Sequence, residues 1–109
     1  MKTIFDVKRI IYLSFAALAA CATTDPPQSE LSAARAMVAQ AQPVAEAAAP
    51  AELANAQVTL ARAEIAMLHG QYEDARLLAL RAEADARLAW TMAENARVQR
   101  ALQEERSAR

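Results

Sequence analysis

Apolar positions recur at helical spacing through most of the chain. Between residues 31 and 48 they fall at Leu31, Ala34, Val38, Ala41, Ala45 and Ala48, in alternating steps of three and four that set all six on one side of a helix. Ser29 or Asp25 can cap its start. Pro43 and Pro50 interrupt the stretch; each removes a backbone donor and collides with the preceding turn, so a kink or break is predicted at both. From Ala51 to His69 two apolar rows run side by side. One holds Leu53, Ala56, Leu60, Ala63 and Met67, the other Ala54, Val58, Ala61, Ile65 and Leu68, with Gln57 and Glu64 between them. One neighbour needs only one row, so this helix is expected to touch two surfaces: two other helices, or one helix and another chain. Pro50 suits a first helical position, and Glu52 lies close to the positive helix end.

Gly70 stands where a left-handed cap is needed, and neither glycine nor proline follows it from Gln71 to Arg109. The longest helix is predicted there. Its most regular feature is Ala75, Ala79, Ala82, Ala86, Ala89, Ala93 and Ala96, a heptad seam made wholly of alanine and flanked by Leu78. Such a seam admits another helix very closely, and Leu53, Leu60 and Met67 are spaced to fill the gaps between its methyls. The charged far side, with Glu83 and Arg87 or Glu105 and Arg109 one turn apart, reads as a solvated face. The fold class is therefore all-α: an antiparallel helical hairpin with an alanine-rich seam, open to completion as a small three-helix bundle by the proline-kinked N-terminal helix. The stretches 31–69 and 71–109 are equally long, so a hairpin turning at Gly70 would match end to end. If the first helix instead folds back, the end of the last one protrudes unpaired, which favours dimerisation.

Composition agrees with helices and bounds the core. Alanine dominates, Gly70 is the only glycine, and beyond residue 21 the only aromatic residues are Tyr72 and Trp90. Strands have little to be built from. Because each alanine methyl removes little apolar area from water, modest stability or help from a partner is expected.

The first 20 residues have a different character. Lys2, Lys8 and Arg9 precede the apolar run Ile10-Ile11-Tyr12-Leu13-Ser14-Phe15-Ala16-Ala17-Leu18-Ala19-Ala20, the order of a charged and then a hydrophobic signal-peptide region. The run offers roughly half the 20 or so apolar residues that spanning a bilayer requires. It ends in Leu18-Ala19-Ala20-Cys21, which resembles the lipobox of bacterial prolipoproteins. That resemblance implies cleavage before Cys21, a diacylglycerol on its thiol and acylation of its new amino group. Cys21 is the only cysteine and has no partner for an intramolecular disulfide. Ala22 follows it where aspartate would imply inner-membrane retention, so the resemblance points to the outer membrane, facing the periplasm. Residues 21–28, with Pro26 and Pro27, read as the lipidated cysteine and a flexible tether, and 29–109 as the helical domain.

Without the leader the chain keeps nine arginines, no lysine and twelve carboxylates, a formal charge of about −3. A nucleic-acid partner would call for a basic stripe interleaved with aromatics, so none is expected. His69, the only histidine, sits at a predicted helix end and suits the negative terminus there. Adjacent Glu73 and Asp74 favour the positive start of the last helix. No residue set suits a metal, a cofactor or catalysis, so no cofactor and no enzyme activity are predicted. Tyr72 and Trp90, five helical turns apart on one line, are the candidate interaction residues. Each covers an end of the alanine seam, or Trp90 anchors a partner helix.

Two family resemblances follow from these residues. Gly70-Gln71-Tyr72-Glu73-Asp74-Ala75 resembles a single tetratricopeptide-like turn, one copy where a solenoid needs about three. Over most of the chain beyond the leader, Pro50-Ala51-Glu52-Leu53, Leu60-Ala61-Arg62-Ala63, Gly70 to Arg76 and Ala82-Glu83-Ala84-Asp85-Ala86-Arg87-Leu88-Ala89 resemble the DUF 4398 family of alanine-rich helical lipoproteins. The resemblance implies a cell-envelope location and supplies no catalytic residues. The expected function is that of a structural or protein-interaction module tethered to the membrane, with a second copy or an envelope protein as partner. The alternative is a binding module for cell-wall polymer or a small ligand.

Overall fold

In the structure, a computed structural model that describes residues 25–109, three helices follow one another: α1 (Gln28–Ala48), α2 (Pro50–Leu68) and α3 (Tyr72–Ala108). The leader, Cys21 and the first tether residues lie outside the described residues. The first arm does not run on to match α3 end to end. It turns back at Ala49, a single buried residue with φ −143° and ψ 55°, and Pro50 opens α2 with its missing donor in the first turn. The Ala49 amide still donates to the Ala45 carbonyl, and its own carbonyl accepts from Leu53, so the turn strands neither group.

Pro43, by contrast, breaks nothing: α1 continues through it. The break predicted there is corrected, and the placement of the residue gives the reason. Pro43 and Ala39, whose carbonyl it leaves without a helical donor, are both on the solvent side, where water can satisfy the oxygen. The predicted side-chain cap of α1 is also absent. Pro27 takes the cap position, and the Ser29 hydroxyl donates instead to the Glu30 carboxylate at 2.7 Å.

Gly70 has φ +72°, and its surroundings form a complete Schellman motif: the Gln71 amide donates to Ala66 O at 2.9 Å and the Gly70 amide to Met67 O at 3.1 Å. The chain thus runs up in α1, down in α2 and up again in α3. Cross-helix contacts fix the order. Arg35 Nε donates to Glu64 Oε1 at 2.7 Å, pairing the lower half of α1 with the end of α2. Arg76 donates to Glu30 Oε1 and to the Asp25 carbonyl, each at 3.2 Å, tying the start of α3 to the start of α1.

The core is the alanine seam and what enters it. Ala75, Ala79, Ala82, Ala86 and Ala89 are wholly buried and Ala93 nearly so. Against the upper part pack Val38, Ala41 and Ala45 from α1 and Leu53 and Ala56 from α2; against the lower part, Leu31, Ala34 and Ala63. Leu60 and Met67 are half-buried wedges beside them, as their spacing predicts. Beyond Ala93 burial fades, Ala96 is only half-buried, and residues 97–109 are exposed on every side. The last three turns of α3 project past the Ala49 turn as a free helix.

Candidate interaction surface

Each helix turns one face to the core, and what remains outside is unusually apolar. On α2 the first row, with Thr59 and Ala66, meets both α1 and α3 through one broad face. The second row is left uncovered: Val58 is 53% exposed, Ile65 55% and Leu68 86%. The two-surface expectation is met by the first row, and nothing within the described residues covers the second. On α3, Leu77, Leu80, Leu88, Met92, Val98 and Leu102 are likewise exposed.

These side chains are not scattered. Leu77, Ala84, Leu88, Val98 and Leu102 fall at heptad spacing on the side of α3 opposite the buried seam, with Arg81, Thr91 and Asn95 as the three polar members of the series and Leu80 and Met92 flanking it. A shallow cleft between α2 and α3, lined by Arg62, Ile65, Gln71, Asp74, Leu77 and Leu78, joins the α2 row to this second seam. A neighbouring cleft extends it past Val58, Thr59, Arg81 and Asp85. The charges beside the seam are Asp85, Arg87, which donates to Glu83 at 2.7 Å, and Glu94, which Arg97 approaches only to 4.0 Å. Both pairs are too exposed to order the face strongly.

The sequence-predicted interaction residues lie elsewhere. Trp90 is half-buried and packs on the core cluster of Val38, Ala41, Ala45 and Ala86, in the company of Met37, Val44 and Ala48. Tyr72 is half-buried in the first turn of α3. The two do not converge on one site. What the reading of the sequence missed is the outer seam. Its signal was available as a second heptad phase on α3, masked because Arg81, Thr91 and Asn95 stand within it and charged residues flank it.

Other chemistry is sparse. His69 is exposed as the C-terminal cap residue of α2, and Glu73 and Asp74 occupy the first turn of α3, the places their charges suit. The Glu30 carboxyl is held below its ordinary value, chiefly by the Ser29 hydroxyl and its own backbone amide, with Arg76 adding attraction. Arg76 keeps its Nε buried without a protein partner, the one such side-chain atom among the described residues. Also among the described residues, no group of three or more His, Cys, Asp or Glu could hold a metal ion, and no helix is long and apolar enough to cross a membrane. The family model described as Domain of unknown function (DUF4398) matches residues 29–105. The chain belongs to the DUF4398 family. No curated protein and no solved structure matches it. The DUF4398 match begins in the first turn of α1 and ends within the projecting part of α3, so it takes in the outer seam as well as the buried one.

Proposed function

We propose that this protein is a lipid-anchored component of the bacterial cell envelope, held at the outer membrane facing the periplasm through Cys21, and that its helical domain is a non-catalytic interaction module. The single observation that carries the interaction role is the largely apolar surface formed by the second row of α2 and the outer seam of α3. Isolated exposed leucines are ordinary on any protein, whereas an aligned row of them indicates a surface meant to be covered. The anchor rests on the lipobox-like Leu18-Ala19-Ala20-Cys21 and on Ala22 after it. Two or three acyl chains turn reversible membrane binding into stable attachment, because each buried CH₂ contributes about 0.8 kcal/mol. Confined to the membrane plane, such a module meets its partner at raised effective concentration.

Intact mass of the native protein tests the anchor. The expected species begins at Cys21 and carries acyl mass; a retained leader or a free thiol at that position rejects it. Photo-crosslinking from Leu88 in intact cells tests the interaction role, with a discrete adduct expected and none from Ala36 on the outside of α1.

A further inference from the structure

The outer seam of α3 fits one occupant well: the same seam of a second copy. We infer that the protein forms an antiparallel dimer in which the projecting end of each α3 lies along the partner copy's α3, beside its α2–α3 cleft. This deepens the interaction reading by naming the partner, and it does not depend on lipidation.

Three observations carry it. First, the large apolar residues of the projecting segment do not continue the buried seam. Past Ala96 that line becomes Arg100 and Gln103, while Val98 and Leu102 carry on the outer one, which no part of the described chain covers. The overhang is therefore built for a neighbour on the outward side. Second, the seam is complementary to itself when reversed. Antiparallel coiled helices set each heptad position of one type against the other type. One register places Leu102 of one copy against Leu77 of the other at both ends of the pair, and Leu88 against Thr91 in the middle. Its three polar members are accommodated as well, the Thr91 hydroxyl by donating to the Arg87 carbonyl of its own helix at 2.9 Å. Arg81 falls against Val98, where its aliphatic stem can lie while the charge stays in water. Asn95 falls against Ala84, whose single methyl leaves the amide room to turn outward to water.

Third, the flanking charges agree. The same register brings Arg87 of one copy next to Glu94 of the other, twice by symmetry, sets Asp85 at the seam's edge beside Met92, and puts no like charges together between Leu77 and Leu102. Beyond Leu102, Glu105 would meet Asp74, which ends the seam there. A parallel pair would gain one polar contact, Asn95 on Asn95. It would also stack Arg81 on Arg81 and lose the Arg87–Glu94 pairing, so the charges favour the reversed arrangement.

The seam spans about 38 Å of helix, and each overhang gains the cover that its own bundle does not provide. The two α1 starts then lie at opposite ends of the dimer, so a membrane-bound dimer lies along the surface rather than standing on it.

Cysteine pairing decides the arrangement. In full-length chain carrying Cys21→Ser, a mixture of Ala84→Cys and Asn95→Cys proteins is expected to form a disulfide-linked heterodimer on mild oxidation. Asn95→Cys alone is not, because its two copies would be about 16 Å apart along the axis, whereas a parallel pair would bring them together. Sedimentation of the Cys21→Ser protein over a range of concentrations is expected to show a monomer–dimer equilibrium. Leu88→Glu with Leu102→Glu should weaken that equilibrium more than about 100-fold without loss of helicity, since both side chains are exposed in the single chain. A monomer at every concentration overturns the proposal, as does efficient self-linking of Asn95→Cys. Neither result bears on the lipid anchor, which the mass of the native protein tests separately.

Discussion

Enlarging one alanine of the buried seam is the most direct measure of how closely these helices approach. Ala86 is wholly buried and belongs to the cluster that joins Val38, Ala41 and Ala45 of α1 to Leu53 and Ala56 of α2. Ala86→Leu adds three carbons at the point where all three helices meet. Little nearby is long enough to swing aside, because most of the surrounding side chains are themselves methyls. Overpacking of this kind costs about 1–3 kcal/mol. A domain with 85 described residues has roughly 4–13 kcal/mol in total at typical stability per residue, and a core of methyls places it toward the lower end. At about 4–8 °C per kcal/mol, the expected drop in Tm is on the order of 10 °C.

The control is the same substitution on the solvent side. Ala36→Leu, at an exposed position in the middle of α1, changes helix propensity by only a few tenths of a kcal/mol and should move Tm by less than about 3 °C. Both variants are followed by circular dichroism through thermal unfolding at one fixed protein concentration. If Ala86→Leu melts with Ala36→Leu, or above the parent, the seam has room to spare and the close approach argued from it is wrong.

Gly70→Ala should cost about 1 kcal/mol in urea unfolding: no atom lies within 4 Å of the added carbon, so the penalty is the left-handed backbone alone, partly offset by a less flexible unfolded chain. Equal or greater stability would mean that the turn relaxes to another conformation. Trp90→Ala should lower stability by about 2 kcal/mol while preserving helicity at low temperature, because its ring is half-buried on the α1–α3 core; unchanged stability would return Trp90 to the role of a partner anchor. Glu30 has its folded pKa below the ordinary 4.5, so its stabilising share is present above 4.5 and disappears as pH falls through the lower folded value. The stability gap between the parent and Glu30→Gln should accordingly narrow in acid, and a gap that widens there would refute this account.

Some of this architecture was legible in the residues and some was not, for physical reasons. Gly70 could be read because only a left-handed position requires glycine at that point, and the Schellman bonds follow from it. The alanine seam could be read because one residue type holds a period of 3.5 over seven positions, which lines those methyls along one face of a long helix. The turn at Ala49 was harder: its residue is the best of helix formers, and only the adjacent Pro50 marks it. Pro43 carries the same chemical signal as Pro50 and ends nothing, because the carbonyl it strands faces water. A proline's consequence depends on which side of the helix it faces, and that is known only once the packing is known. Tyr72 and Trp90 align five turns apart and are the only aromatic residues of the domain, whereas the exposed surface is built from aliphatic residues, each ordinary on its own.

The distribution of side-chain size ties these points together. Inside, the seam of α3 is alanine throughout, and the largest wholly buried side chains anywhere in the described residues are Leu31 and Pro27. Outside lie Val58, Ile65, Leu68, Leu77, Leu80, Leu88, Met92, Val98 and Leu102. A chain selected only for stability as a monomer would do the reverse, since a buried leucine removes far more apolar area from water than a buried alanine. Small residues inside keep the three helices close and the body thin, and so hold α2 and α3 near enough for their outward rows to merge into one surface. The cost is a weak core. In the proposed dimer the second copy covers that surface, so stability and association should rise and fall together with protein concentration. Parent protein whose Tm does not change with concentration, under conditions where sedimentation shows the dimer forming, would break that link.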